Sequence, residues 1–240
     1  MSEKKGLDGR TLKIIASLCM LADHVCLILF SKSRAAYYVR GTIGRIAFPV
    51  YVFLLTEGFF HTKSRTKYIL RLLLFSLISD PFFDLAFFGR FPDFGHQNVF
   101  FTLLIGFLLL CVLEKIRESF ARRNPEEAAA ISGKCFLVQL PFIAVFMAGA
   151  YFLKTDYSYL GVCAVAVMYY FKNLPLNYRV LAGCLALNLP RFHNIGAFLS
   201  VIPLSFYNFK KGRITKAEQL AFYAFYPAHL LVLWLVHRLL

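Results

Sequence analysis

Residues 12–30 read LKIIASLCMLADHVCLILF, an apolar run broken only by Lys13 near its start and by Asp23 and His24 further along. A helix needs about 20 residues, within a range of about 17–25, to cross the hydrocarbon of a bilayer. The run is long enough, and its amino-terminal flank is basic (Lys4, Lys5, Arg10), as a signal peptide's would be. A cleaved leader has a shorter, uncharged apolar core, so the adjacent Asp23 and His24 mark this segment as a retained transmembrane helix. Further apolar runs follow at 43–60, 68–88, 98–114, 135–153, 157–171, 178–190, 194–209 and 218–238. The expected architecture is an all-α, polytopic transmembrane helix bundle of about nine spans (eight to ten), forming one integral-membrane domain over residues 1–240. The runs 157–171 and 178–190 are short for a crossing.

Composition agrees. Of the 240 residues, 59% are hydrophobic and 17% charged, and the mean hydropathy is +0.61. A soluble domain is about 45–50% apolar and about 25% charged, and a disordered chain has low hydrophobicity; both classes are excluded. The six Cys, at positions 19, 26, 111, 135, 163 and 184, show no paired spacing and read as small apolar packers rather than a disulfide framework. No Walker-type loop, GxGxxG, HExxH or CxxC occurs, and no metal is expected.

Lys and Arg number 27 against 13 Asp and Glu, a formal net charge of +14. The basic residues cluster between apolar runs, which is the pattern of short cytoplasmic loops rather than of a nucleic-acid surface. With the amino terminus inside, 19 basic residues fall on the cytoplasmic side and 7 on the other, with Arg45 inside a span. The split predicts a cytoplasmic amino terminus in a multi-pass protein of the cell membrane, the bacterial inner membrane, with the lipid bilayer as its standing partner. The connector 115–134 reads as solvated, and the turn Asn188–His193 as interfacial.

Ionisable residues within the spans are Asp23, His24, Arg45, Glu57, Asp80, Asp84 and His229. One Asp or Arg at a span centre costs about 2.5–3.5 kcal/mol on insertion scales. Five uncompensated charges would cost on the order of 10 kcal/mol, the stability of a whole fold. They must pair or line a wet chamber. At about 1.5 Å per residue, Asp23, His24, Asp80, Asp84 and Arg45 lie toward the outer half, His229 about midway, and Glu57 near the cytoplasmic end. Asp80 and Asp84 share a helix face at i, i+4, so a cation such as Arg45 or protonated His24 is expected between them. Asp23 and His24 are neighbours about 100° apart on a helix, so the carboxylate that orients His24 is expected from another helix. Pro81 follows Asp80 and frees backbone groups that must be satisfied inside protein or water.

Several stretches in order resemble the TraX family, whose type member acetylates the amino terminus of conjugative pilin. They are LKIIASLCMLADHV (12–25), IGRIAFPVYVFLLTEGFFHT (43–62), KYILRLLLFSLISDPFFDLAF (67–87), NVFFTLLIGFLLL (98–110), TDYSYLGV (155–162), YNFKKGR (207–213) and FYAFYPAHLLVLWLV (222–236). TraX proteins are similar in turn to the acyltransferase-3 group, whose first span bears a His and whose last span has a His near its start; His24 and His229 fall where that pattern would put them.

The resemblance implies transfer of acetyl from acetyl-CoA to an amine or hydroxyl. His24 is the expected base, with Asp80 or Asp84 fixing its tautomer. Arg45 and Asn98 are candidate oxyanion donors, and His229 a second acid/base or acyl carrier. Asp23 and Glu57 complete the candidate catalytic set. Gln97, Asn98, Asp156, Tyr157 and Asn208 are candidate acceptor-binding residues. Lys63, Arg65, Lys67, Arg71, Lys210, Lys211 and Arg213 would hold the phosphates of acetyl-CoA. The acceptor, a pilin-like protein amine or a cell-envelope glycan, is expected as partner, and a homo-oligomer stays open. The alternatives are a proton- or cation-coupled transporter working through Asp80 and Asp84, and an assembly factor whose charges are structural only.

Overall fold

The computed structural model describes residues 6–123, 133–189 and 195–240. The connector 124–132 and the turn 190–194, which includes His193, lie outside the described residues. The chain forms helices α1 (Gly9–Ile28), α2 (Arg34–Gly41), α3 (Ala47–His61), α4 (Arg65–Phe88), α5 (Val99–Arg123) and α6 (Gly133–Phe152). They continue as α7 (Ser158–Tyr170), α8 (Leu176–Asn188), α9 (Val201–Ser205) and α10 (Lys216–Leu239), with 3-10 turns at Gly44–Ile46 and Ile195–Ser200. Among the described residues there is no strand beyond two isolated bridges, Leu7 with Tyr207 and Gln97 with Thr155.

Helix starts follow local chemistry. Asp8 accepts from the Thr11 N–H at 2.8 Å, Ser64 caps α4, and Thr215 with Glu218 forms a reciprocal capping box on α10. Successive helices run up and down, so the bundle has two ends. A basic end gathers residues 6–13, 61–71, 115–123, 170–179 and 205–216. The opposite end gathers 29–46, 88–98, 152–158 and the close of α10.

Five helical runs are long and apolar enough to cross a membrane: Gly9–Ile28, Arg34–His61, Val99–Arg123, Gly133–Phe152 and Lys216–Leu239. The α4 helix has 24 residues but also Asp80, Asp84 and its basic start. The two short runs form 13-residue helices, about 20 Å long against about 30 Å of hydrocarbon. That shortness is tolerable in α7 because protein encloses it: α7 packs on α3, α5, α6 and α8, and Val162, Ala164, Val165, Met168 and Tyr169 are fully buried. Gly106 of α5 permits a close approach, since a Cβ there would press into the Val165 side chain. The outside is apolar. On α4, Leu70, Leu73, Leu74, Leu77 and Ile78 are exposed at helical spacing, while Leu72, Phe75, Ser76, Ser79 and Phe83 of the other face are buried. An apolar exterior of this size is a face for lipid.

The basic end is locked by buried polar networks. Arg179 is 4% exposed; its Nη1 donates to Glu57 at 2.7 Å, its Nη2 to Thr56 at 2.8 Å and its Nε to the Met168 carbonyl at 2.8 Å. Glu57 is thereby removed from the expected catalytic set: it neutralises Arg179 and ties α3 to α8. Glu114 accepts from Arg117 and, at 2.6 Å, from the Tyr169 hydroxyl, and Gln139 donates to the Leu113 carbonyl and accepts from Tyr170. A strap closes the same end, with Leu7 N–H on Phe206 O at 2.8 Å, Asn208 N–H on Leu7 O at 2.9 Å and Gly9 N–H on Lys210 O at 2.8 Å. Asn208 was expected to bind substrate; its side chain instead donates to Gly6 O and accepts from Lys210 N–H, shaping this strap.

Breaking one side of a buried pair leaves an uncompensated charge and costs about 3–5 kcal/mol. Arg179→Ala should therefore lower the thermal unfolding midpoint in detergent sharply. Arg213→Ala, an exposed position, should leave it unchanged.

Candidate functional site

The centre of the site joins the first and last long helices. His24 Nδ1 of α1 lies 2.7 Å from His229 Nε2 of α10. His229 Nδ1 lies 2.7 Å from the Phe225 carbonyl, one turn earlier. A carbonyl only accepts, so His229 Nδ1 carries the proton and its Nε2 presents a lone pair. The proton between the rings must then belong to His24 Nδ1. Nε2 of His24 is left with its lone pair, and no described side chain bonds to it. The tautomers of both rings thus follow from one backbone carbonyl. The sequence pointed to a carboxylate as the partner that orients His24; the structure corrects this, because His229 fills that place and Asp80 and Asp84 are engaged elsewhere.

Aromatic rings wall the pair. Phe87 stands edge-on to His24 with centroids 5.3 Å apart, and Tyr226 edge-on at 5.9 Å. Tyr226 is 3% exposed. Its hydroxyl lies near the Val99 N–H and within electrostatic range of Asp80, Asp156 and Tyr157.

Asp80 accepts from Asn98 Nδ2 at 2.9 Å, and the other Asn98 N–H goes to the Ser76 carbonyl at 2.8 Å. Pro81 lacks an N–H and disturbs α4 at this turn, where Asn98 reaches the helix backbone from outside. Both amide protons of Asn98 are committed, so it is not the free oxyanion donor the sequence suggested. Asp84 is 1% exposed and accepts from the Asp93 N–H at 2.7 Å. Asp93 in turn binds Arg90 and the Gly95 N–H, and the Arg90 guanidinium holds the Asp93 carboxyl below its usual range. Asp84 therefore anchors the loop 89–98. Among the described residues no cation bridges Asp80 and Asp84, contrary to expectation; Asp80 Oδ1 and Asp84 Oδ2 each accept from an N–H, and Asp84 Oδ1 is buried without a partner.

A second polar group flanks this one. Asp23 faces away from His24 toward Arg40 Nε, at 3.8 Å, and toward Arg45. A Cβ at Gly44 would collide with the Asp23 carboxylate, so glycine is needed for that approach. Arg45 also lies within range of Asp156 and Tyr157. The Asp156 carbonyl accepts from the Thr102 hydroxyl, its N–H donates to the Gln97 carbonyl at 2.8 Å, and the Gln97 N–H donates to Lys154 O. Gln97 thus contributes through its backbone. Lys154, Tyr157 and Ser158 all have positive φ, a strained turn of the kind found at functional sites. Burial pushes the Asp156 carboxyl up to about 6 against the opposing pull of Arg45.

The expected donor-binding cations lie at the basic end. Arg65 stacks over Phe59 at 4.4 Å and Arg71 over Tyr68 at 5.5 Å. Lys63, Lys67, Lys210, Lys211 and Arg213 are on or beside the helix starts and the strap. Arg71 and Lys211 are both within electrostatic range of Lys13.

Sequence reasoning passed over Tyr226, Arg40 and Lys13. Tyr226 precedes His229 by three residues and so shares its helix face, a signal that was readable. Arg40 and Lys13 were counted only as loop charges. Among the described residues no group of three or more His, Cys, Asp or Glu could hold a metal ion.

Comparisons with known proteins add a lineage. A family profile described as "TraX protein" matches residues 8–237. A curated protein of Dichelobacter nodosus, "Probable fimbrial assembly protein FimC, serogroup H1", is 28% identical over 261 aligned positions covering 97% of each chain. No solved structure matches.

Asp84→Ala should raise amide hydrogen exchange at Asp93 and Gly95, whereas Asp80→Ala should leave both amides protected. The folded value of Asp156 lies above its unfolded one, so this group favours the fold below about pH 4 and that contribution is lost as pH rises through about 6. Asp156→Asn should flatten the corresponding fall in thermal midpoint between about pH 4 and pH 7.

Proposed function

The chain belongs to the TraX family, and we propose that it is an integral-membrane acetyltransferase. It moves acetyl from cytoplasmic acetyl-CoA to an amine or hydroxyl of an acceptor reached within or across the membrane. The observation that carries this reading is the histidine pair, with its tautomers set by the Phe225 carbonyl and a basic nitrogen left on His24. The fimbrial relative supports an acceptor from a pilus or fimbrial system, such as the amino terminus of a pilin-like protein or an envelope glycan. The cluster of cations at the end that carries the amino terminus supports placing that end in the cytoplasm of a bacterial inner membrane.

The chemistry follows from the tautomers. His24 Nε2 takes the proton of the acceptor N–H or O–H as its lone pair attacks the thioester carbonyl. The resulting imidazolium keeps its Nδ1–H on His229 Nε2, a hydrogen bond that strengthens when its donor is charged. The Tyr226 hydroxyl, beside the ring of His24, donates its proton to the developing oxyanion. When the tetrahedral adduct collapses the C–S bond breaks, and the leaving thiolate receives the proton from His24, giving CoA–SH and an amide or ester. Arg45, within electrostatic range of Asp23 and Asp156, belongs to the outer wall and leaves the proton transfer to the histidines.

A positioned general base contributes about 10²–10⁴-fold. In proteoliposomes, His24→Ala should lose at least about 100-fold of label transfer from acetyl-CoA, and Tyr226→Phe should lower kcat while leaving the KM for acetyl-CoA nearly unchanged. Full activity of His24→Ala would end this reading. Uptake driven by a pH gradient, with no turnover of acetyl-CoA, would favour the transporter instead.

A further inference from the structure

The helices that carry the histidine pair also carry a set of cations about 16 Å away along α1 (eleven residues at 1.5 Å each). Lys13 of α1 sits over the Phe222 ring of α10 at 5.7 Å. It lies within electrostatic range of both Arg71 of α4 and Lys211 of the strap, and no carboxylate stands among its electrostatic neighbours. Arg71 stacks over Tyr68 and, with Tyr68, reaches the Tyr223 hydroxyl of α10. Its Nε is buried without a hydrogen-bond partner. Lys211 belongs to the strap, whose Lys210 carbonyl accepts from the Gly9 N–H at 2.8 Å. The nearby carboxylates are committed elsewhere, Asp8 to Thr11 and Glu218 to Arg10 and Thr215.

Three cations held together with a buried, unsatisfied guanidinium N–H cost free energy in the empty protein. An anion relieves that repulsion and supplies the missing acceptor. The helices α1 and α4 both pack on α10. From these cations toward the histidine pair the α10 rings are continuous with their neighbours, Tyr223 stacking with Phe75 and Phe100, and Phe100 meeting Tyr226 edge-on.

We propose that Lys13, Arg71 and Lys211 form a phosphate-binding site where α1, α4, α10 and the strap meet at the basic end. Its ligand is a phosphate-bearing molecule. The phosphates of the acyl donor fit if the acetyl-transfer reading holds; the headgroup of an anionic phospholipid presents the same chemistry. The cationic site itself does not depend on that reading.

The test uses the full chain in neutral detergent with two probes. Adenosine 3′,5′-bisphosphate is titrated calorimetrically, and phosphatidylglycerol, with phosphatidylcholine as control, is followed by native mass spectrometry. Saturable binding of one probe is expected, weakened about tenfold or more in Lys13→Gln/Arg71→Gln and reduced less in Arg71→Lys. Lys211→Gln, on the exposed strap, should weaken it without changing the thermal midpoint. That variant keeps the test decisive should the double variant fail to fold. Nucleotide binding assigns the site to the donor, and selective phosphatidylglycerol binding assigns it to lipid. Binding of neither probe, or binding unchanged in all variants, overturns the proposal. Wild-type protein that binds the nucleotide but transfers no acetyl keeps the site and removes the enzymatic reading instead.

Discussion

Hydrocarbon offers no hydrogen-bond partner, so each polar group within this bundle must find one in the protein itself. That constraint arranges the interior. Arg179 finds Glu57, Thr56 and a backbone carbonyl; Glu114 finds Arg117 and Tyr169; Asp84 finds a loop amide. The Arg179–Glu57 and Glu114–Tyr169 links tie helices distant in sequence. The same requirement lets an aromatic-rich chain tolerate helices too short to cross alone, because α7 is wrapped by its neighbours and its ends never meet lipid unaided.

The networks divide by role. Those around Arg179 and Glu114 are closed, with donors and acceptors matched. Around α1, α4 and α10 capacity is left over: His24 keeps a lone pair and Arg71 a buried N–H without a partner. Structural polar groups are usually satisfied, so these residual capacities are where the proposed chemistry and the proposed anion site are placed.

Much of the helical order was readable from hydropathy alone, because apolar runs and caps such as Asp8, Ser64 and Thr215 are local signals. So was the list of submerged charges. What one-dimensional spacing did not carry was pairing. Glu57 and His229 look alike as isolated ionisable residues in apolar runs, yet Glu57 neutralises an arginine 122 positions away and His229 meets a histidine 205 positions away. Asp80 and Asp84 suggested a shared cation because they lie one turn apart. Asn98, just ahead of α5, instead meets one, and the return of the loop brings a backbone amide to the other. Tyr226 escaped notice because a tyrosine in a chain with 13 of them carries no signal until its neighbours are known.

The His24–His229 contact has a consequence for biogenesis. Its two halves stand 205 positions apart, and a ribosome adding about 5–20 residues per second delivers the second roughly 10–40 s after the first. Throughout that interval His24 lacks the ring that takes its Nδ1 proton, whereas Arg40 and Arg45 reach Asp23 early. Insertion machinery or nascent helices must shelter His24 until α10 emerges, and no chain released before α10 can assemble the pair.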